Sequence, residues 1–286
     1  MSDQNHWAYA HYEKLINAGM TINETRFSDN ITRAETFVLL SGLLDVFRNE
    51  LEESLNPSNI RFKDSESGLY SYIKASPEFL NVRTYDTTGI PTKSVPYKFA
   101  INGTFFTTGK GDDGKPLWVP TSPIVVNGQA KWRWASNHTP KPQSAIIIWK
   151  DNTVSMQRIK SISEVDLTKV KHLIAGLGIV NKIDPNFSYD FLTEWSSSFA
   201  DVIRFTNKTC IGYSIKENKI YLIATKPIET DSSIKYDLTD IANELKLDLL
   251  LNLDNGGSTF IKSNNEYRLN LTGDNRSLHH IITFEE

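Results

Sequence analysis

The feature that most constrains this chain is an apolar run that ends abruptly in an acid, glycines and hydroxyls. Residues 249–253 are leucine at all positions except Asn252, and Asp254, Asn255, Gly256, Gly257, Ser258 and Thr259 follow. Such a run predicts a strand that delivers a polar site. The glycines permit positive φ and close backbone approach, so we expect their N–H groups to face an anion. Asp254 then serves as acid, base or orienting group, or alternatively caps the turn or binds a cation.

The composition indicates a soluble globular protein and excludes some partners. The chain has 286 residues, of which 39% are hydrophobic and 23% charged, values that allow an ample core. A formal net charge of −3 offers no electrostatic reason for binding duplex nucleic acid or an anionic membrane. We therefore expect neither a nucleic-acid duplex nor a membrane as a partner.

The N-terminus lacks the basic start and apolar core of a secretory signal. No apolar run is long enough to span a bilayer. A cytoplasmic location is expected, or a secreted or virion-associated one if the chain is trimmed from a longer protein.

The first 50 residues are predicted to form a small helical module. Gly19 ends one helix, and Thr32 with Glu35 has the spacing of a capping box that opens a second. The segments at residues 6–8, 15–16, 18–19 and 31–35 (HWA, LI, AG and ITRAE) resemble one S-layer homology repeat.

That resemblance implies contact with cell-wall glycan through residues 6–47, with Arg33 as the contacting residue. Members of the family usually combine three such repeats, whereas this chain carries one. The alternatives are that the helix pair packs on the main domain or mediates homo-oligomer contact, with Arg33 in a surface salt bridge.

Residues 51–69 are polar enough for a linker or connecting segment, and residues 70–286 are predicted to form the main domain. Short strand-like runs bounded by turn residues occur at 95–101, 144–149, 170–174, 209–215 and 219–224. A helix is predicted at 234–247, leading into the strand at 249–253. The predicted fold class is α+β, a mixed β-sheet core with flanking helices.

A second strand end carries a similar polar signal. Asn102 and Gly103 close the strand-like run 97–101, as Asp254 closes its own. An Asn-Gly pair alone is more often a turn. Two such ends could nevertheless meet at one rim of a sheet.

These motifs, in this order, resemble the phosphodiester glycosidase family, to which the uncovering enzyme for N-acetylglucosamine phosphodiesters belongs. The resemblance covers most of residues 95–286 and rests on segments 102–106, 175–180, 208–212 and 253–258 and on Arg276. The chain departs from the family pattern by Thr104 and Asn255 in place of glycines, by Lys208 in place of arginine, and by the absence of a proline in 175–180.

The resemblance implies hydrolysis of the bond between a sugar's anomeric carbon and a phosphate oxygen. Phosphate is a good leaving group, so cationic and N–H stabilisation plus one carboxylate can carry catalysis. The implied catalytic residues are Asp254, Asn102 and Lys208. Those implied for substrate or phosphate binding are Gly103, Thr209, Gly178, Gly256, Gly257, Ser258, Thr259 and Arg276.

The lysine substitution bears on phosphate geometry. An ammonium acts as a point charge, whereas a guanidinium grips phosphate through paired hydrogen bonds. Arg204 is a candidate to supply the paired guanidinium hydrogen bonds to phosphate. Alternatively, Arg204 is a surface charge at the start of a strand. Because Asn255 lacks glycine's freedom, we expect it to be constrained within the turn.

Further aromatic and titratable residues have weaker patterns. The run KWRW at 131–134 could stack on a sugar, or it forms a hairpin with exposed cations, and His138 is a candidate acid or base for substrate. The single Cys210 is expected in the core. His279 and His280 are expected on opposite strand faces. We expect no cofactor and no metal.

The leading hypothesis is a hydrolase of a glycosyl phosphodiester, with a sugar phosphate or a nucleotide-derived substrate of bacterial or phage origin. The alternative is a non-catalytic protein that sequesters such a ligand or adheres to cell-wall glycan.

Overall fold

The chain from residue 59 onward folds into antiparallel β-sheets with an α-helix in the computed structural model. The described residues are 59–85, 89–110, 116–132, 141–189, 194, 206–227, 234–270 and 275–286. Several predictions lie outside them: the helical module at 1–50 with Arg33, the segment 51–58, and the candidates His138 and Arg204. Asn59–Glu286 forms one compact unit.

The described strands follow one another in this order: β1 (Arg61–Asp64), β2 (Tyr70–Ala75), β3 (Leu80–Thr84), β4 (Ile90–Pro91), β5 (Phe99–Asn102), β6 (Phe106–Lys110), β7 (Pro116–Pro120), β8 (Ile124–Val126), β9 (Gln129–Trp132), β10 (Gln143–Trp149), β11 (Val154–Ile159), β12 (Val170–Asn181), β13 (Thr209–Ser214), β14 (Lys219–Thr225), β15 (Leu249–Asn252), β16 (Phe260–Ser263), β17 (Glu266–Asn270), β18 (Ser277–Leu278) and β19 (His280–Phe284). The helix α1 spans Ile234–Glu244.

Two sheets dominate the fold. The large sheet has the order β1-β2-β14-β13-β15-β12-β10-β11, with the hairpin β8–β9 attached to β12. The small sheet has the order β17-β16-β5-β19-β3. The short pairs β4–β18 and β6–β7 complete the topology. The α+β class is confirmed, and the predicted mixed sheet is antiparallel in every described pair.

Both faces of the large sheet are apolar, and each is buried against another layer of the fold. One buried cluster combines Ile211 and Leu251 of the large sheet with Ile101 and Ile282 of the small sheet, so the two sheets pack face to face. The opposite face of the large sheet packs on apolar residues of α1, among them Leu238, Ile241 and Ala242. The central strands of the large sheet are covered on both faces, which explains their continuous apolar sequences.

The helix ends three residues before the predicted position. Lys246 takes a left-handed conformation with φ of 53°. Its N–H bonds to the Asn243 carbonyl at 3.1 Å, and the Leu247 N–H bonds to the Ala242 carbonyl at 2.7 Å. This is a Schellman ending, usually built on glycine. Because lysine stands there instead, the sequence offers no stop signal.

The large sheet begins earlier than the predicted main domain. Strand β1 lies within 51–69, the range interpreted as a linker or connecting segment, and pairs antiparallel with β2. The β13–β14 hairpin predicted around 216–218 is present, with Asn218 at a φ of 51°. Among the described residues, no helix has the length and apolar composition needed to cross a bilayer.

The chain passes from the large sheet to the small sheet between β15 and β16. Residues 253–259 make that crossing, and the pairing of Ile261 with Ile101 places β16 beside β5. Asn102 ends β5, and Thr209 begins β13 next to β15. The two polar strand ends predicted to share a rim are thus brought together where the sheets join.

Candidate functional site

Asn102 lies at the centre of the junction and uses its whole amide group there. It is 1% exposed. Its Nδ2 donates to the carbonyl oxygens of Asp254 at 2.8 Å and Gly103 at 3.3 Å. Its Oδ1 accepts from Thr209 Oγ1 at 2.8 Å and the Phe260 N–H at 3.3 Å. With both donors and both lone pairs occupied, Asn102 positions the Asp254 segment and has no group left to orient a substrate.

Thr209 joins the large sheet to the same segment. Its carbonyl oxygen accepts from the Leu253 N–H at 2.8 Å and from Asn252 Nδ2 at 3.0 Å. Its N–H donates to Asn255 Oδ1 at 3.3 Å. The Thr209 hydroxyl donates to Asn102, so Thr209 connects the large sheet to the Asp254 segment. Its N–H, carbonyl and hydroxyl are all engaged within the protein, whereas a direct contact with substrate was predicted.

Asn255 is not constrained as the sequence led us to expect. Its backbone is extended, with φ of −120° and ψ of −176°, and Gly256 carries the left-handed φ of 63°. The Asn255 side chain pairs reciprocally with Asn252, with Nδ2 to Oδ1 distances of 3.0 and 3.1 Å. The departure from the family's glycine therefore adds a buried amide pair without backbone strain.

The glycine turn contributes fewer donors to an anion than predicted. The Gly256 N–H donates to the Asn207 carbonyl at 3.0 Å, and the Thr259 N–H returns to the Gly256 carbonyl at 3.0 Å. The Ser258 hydroxyl is buried and has no hydrogen-bond partner within the described part of the chain, and the same holds for Asn207 Oδ1. Gly257 is partly exposed. Polar atoms for a ligand therefore come from the second half of the turn.

Asp254 is the acidic residue that the junction presents. It is half-buried, and its N–H donates to the Gly103 carbonyl at 3.2 Å. The carbonyl of Asp254 is held by Asn102, so hydrogen bonds fix both of its backbone polar groups. The carboxylate thus stands on a rigid backbone, as a catalytic or binding group requires.

Lys208 and Cys210 flank Thr209 inside the protein. Lys208 is 1% exposed, and its backbone pairs with Thr225, through an N–H to Oγ1 distance of 3.0 Å and a returning N–H to carbonyl distance of 2.9 Å. The Lys208 side chain is therefore kept away from bulk solvent. Burial raises the pKa of the Cys210 thiol to about 12, although Asn252 and Lys208 oppose the shift.

Cys210 is therefore expected to resist thiol reagents in the native protein. A buried thiol with a raised pKa carries almost no thiolate at neutral pH, so labelling should be slower than in denaturant by on the order of a hundredfold. Timed reaction with a chromogenic disulfide, with and without urea, measures this. Equal rates in the two conditions would contradict the core assignment.

Gly103 is required by a close neighbour. A Cβ at this position would lie 2.0 Å from His280 Nε2. The His280 ring accepts the Thr104 N–H at Nε2 with a distance of 2.7 Å. The Thr104 hydroxyl, present where the family has glycine, donates to the Ala175 carbonyl and ties the loop to β12.

Gly178 serves another buried cluster. Its N–H donates to Glu194 Oε2 at 3.0 Å, and a Cβ would lie 2.3 Å from Ser144 Oγ. Glu194 is fully buried, accepts from the Ser144 N–H at 3.1 Å and hydroxyl at 2.9 Å, and pairs with Arg158 at 2.6 Å. The Glu194 carboxylate takes the Gly178 N–H, and the phosphate contact at Gly178 stays a prediction.

Arg276 lies directly before β18. Its carbonyl accepts from the Thr92 N–H at 3.0 Å and hydroxyl at 2.8 Å, and its side chain is half-buried. Its role in phosphate binding stays a prediction.

Three residues that shape the junction were not predicted as site residues from the sequence: Asn252, Asn207 and His280. Asn252 carried a signal, since it is the one polar residue in a leucine run. His280 had the weaker signal of a histidine in an apolar final strand. Within the described residues, no group of three or more His, Cys, Asp or Glu is arranged to hold a metal ion.

Comparison with known proteins adds a likeness of fold. No family model and no curated protein matches the chain. The catalytic domain of zebrafish N-acetylglucosamine-1-phosphodiester alpha-N-acetylglucosaminidase, auto-inhibited by its pro-peptide, is similar over 80% of this chain and 82% of its own, with 15% identity and a TM-score of 0.54.

Two further solved structures are more distant. A protein from Synechocystis has a TM-score of 0.46 and 13% identity over 78% of this chain and 61% of its own. One from Burkholderia pseudomallei K96243 has a TM-score of 0.48 and 9% identity over 75% and 73%. The likeness to the zebrafish catalytic domain is one of fold.

Proposed function

We propose that this protein hydrolyses a glycosyl phosphodiester by cleavage between the anomeric carbon of a sugar and a phosphate oxygen. One observation carries the proposal. Asp254, near the start of the chain crossing between the sheets, is held through its N–H by Gly103 and through its carbonyl by Asn102 at the end of β5. The fold likeness to a phosphodiester glycosidase supports the same class of reaction at the level of fold alone.

Asp254 is the catalytic carboxylate in this proposal. Departure of the phosphate leaves positive character on the anomeric carbon, and a fixed carboxylate stabilises that charge or removes a proton from the attacking water. The water oxygen bonds to the anomeric carbon as the carbon–oxygen bond to phosphate breaks. The products are a free sugar and a phosphate monoester, which keeps the bonding electron pair.

Two features at the same junction suit the leaving phosphate. The Ser258 hydroxyl is a donor with no partner inside the described residues. In this proposal the buried Lys208, next to Thr209 in the chain, supplies the cation. An ammonium out of bulk solvent attracts an anion more strongly than an exposed one does, because the local dielectric constant is lower.

Asn102 and Thr209 take supporting roles. Every polar group of the Asn102 amide is occupied by the protein, so it holds Asp254 in place instead of touching substrate. Thr209, at the start of β13, donates its hydroxyl hydrogen to the same amide and so fixes Asn102 relative to that strand. In this proposal the substrate lies on the side of the junction where Asp254 and Gly257 are partly exposed.

The experiment is hydrolysis of a panel of glycosyl phosphodiesters, sugar phosphates and nucleotide-derived glycosyl phosphates in water enriched in heavy oxygen. Mass spectrometry of the products is expected to find the heavy oxygen in the sugar. Heavy oxygen in the phosphate would contradict glycosidic cleavage and indicate attack at phosphorus.

A binding protein without catalysis is the second candidate. The observation that favours it is that the Gly256 and Gly178 N–H groups, expected to hold phosphate, are consumed within the protein. The same panel separates the two: a ligand that binds in calorimetry and is recovered intact supports sequestration.

A further inference from the structure

His280 contacts the loop at residues 102–104, which holds Asp254, through its backbone carbonyl and through its ring. Its carbonyl accepts the Gly103 N–H at 3.2 Å, and its Nε2 accepts the Thr104 N–H at 2.7 Å. The ring lies directly against Gly103, where even a Cβ would be 2.0 Å from Nε2. His280 is 2% exposed, so water does not compete for these contacts.

The loop that His280 holds is the one that holds Asp254. The Gly103 carbonyl accepts the Asp254 N–H at 3.2 Å. The N–H of the same Gly103 donates to the His280 carbonyl. Asn102, one residue earlier, donates to the Asp254 carbonyl. Strand β19 pairs with β5 directly beside these residues, with Ile281 opposite Asn102. A displacement of the His280 ring would therefore move both attachments of Asp254.

The geometry points to His280 as a positioning residue for Asp254, acting through the acceptor nitrogen Nε2 on the loop at residues 102–104. The inference rests on the proposed catalytic role of Asp254. His280 does not touch substrate in this arrangement, and its contribution is to keep Gly103 where it can receive the Asp254 N–H.

The acceptor role requires a neutral ring with its proton on Nδ1. Protonation of Nε2 would set an N–H against the Thr104 N–H, two donors facing each other. Burial, together with the neighbouring His279 ring at a centroid distance of 5.9 Å, lowers the pKa of His280 well below its usual range. The ring therefore accepts at neutral pH.

The test compares two substitutions with a matched control. His280→Gln can place an amide oxygen near the position of Nε2 and keep the acceptor, whereas His280→Leu removes it. His172→Leu is the control, because His172 is also a fully buried strand histidine, but its ring nitrogens have no hydrogen-bond partner among the described residues.

The first readout is independent of catalysis. In isotope-labelled protein, nuclear magnetic resonance should detect a coupling across the hydrogen bond between the Thr104 amide nitrogen and His280 Nε2. Hydrogen exchange of the Asp254 amide should accelerate by about tenfold or more in His280→Leu, and change little in His280→Gln or His172→Leu.

The second readout is turnover on the substrate identified by the panel. His280→Leu is expected to lower kcat by about 30- to 100-fold with a smaller change in KM, because a misplaced catalytic group costs rate more than affinity. His280→Gln should restore kcat to within about threefold of the parent.

Separate outcomes decide the separate claims. If the parent hydrolyses nothing, the proposed function fails, while the coupling and the Asp254 exchange rate still test the positioning role. An absent coupling in the parent, or equal damage by glutamine and leucine, overturns that role. If His280→Leu does not fold, the coupling and His280→Gln remain decisive.

Discussion

Asp254→Asn is expected to lower kcat by about 10²- to 10⁴-fold, the range over which a positioned acid–base or charge-stabilising group acts. The substitution keeps side-chain size and leaves the backbone bonds to Gly103 and Asn102 in place. Substrate binding and the unfolding midpoint should therefore change little. Steady-state kinetics and calorimetric titration with uncleaved ligand measure the two effects.

The matched control is Asp240→Asn, an exposed acid on α1 whose loss changes net charge by the same amount. It should retain full turnover. Unchanged kcat in Asp254→Asn would remove this residue from the chemistry and favour either a different carboxylate or the sequestration hypothesis.

Asn102→Ala is expected to cost at least about 2 kcal/mol of unfolding free energy, because it leaves two groups without their partners at about 1–3 kcal/mol each. These are the Phe260 N–H and the Asp254 carbonyl, whereas the Thr209 hydroxyl can still donate to Thr259 Oγ1 at 3.2 Å. Turnover should fall in the same variant because Asp254 loses one of its two backbone attachments. Urea unfolding followed by fluorescence measures the stability.

Asn186→Ala provides the comparison, since it removes the same amide from an exposed loop, and its cost should stay within about 0.5 kcal/mol. Asn102→Asp adds a stricter test. It preserves shape but removes both donors and introduces a buried charge, so it should be no more stable than Asn102→Ala. A cost below about 1 kcal/mol for Asn102→Ala would show that the junction can relax without its amide.

Much of the fold was predictable from local pattern. The strands β10, β13 and β14 lie within one residue of their predicted bounds because apolar runs between turn residues report burial directly. Strand β12 extends to Asn181, beyond the predicted 174, since glycines at 176 and 178 interrupt the pattern. Those glycines serve close packing, with Asn252 O and Ser144 Oγ at 2.4 and 2.3 Å from the positions of added Cβ atoms.

The candidate site was predictable in its members more than in their roles. Asn102 and Asp254 were expected to meet, and they do. Yet the Asn102 amide bonds to three backbone groups and to the Thr209 hydroxyl. The Gly178 N–H donates to Glu194, and among the turn residues 254–259 only Gly256 has a left-handed φ. Hydrogen-bond partners distant in sequence determine these roles, and periodicity carries no information about them.

The sequence by itself determined the strands, the α+β class and the two polar strand ends, because burial and turn chemistry are written locally in residue type and spacing. Only the tertiary structure decided which groups remain for chemistry. The backbone of Asp254 is held by hydrogen bonds to Asn102 and Gly103. The N–H groups of Gly256 and Gly178 and the hydroxyl of Thr209 instead bond to other groups of the protein. The physical reason is that buried donors and acceptors must be satisfied, and their partners can lie far away along the chain, as Asn102 and Phe260 do at a separation of 158 positions.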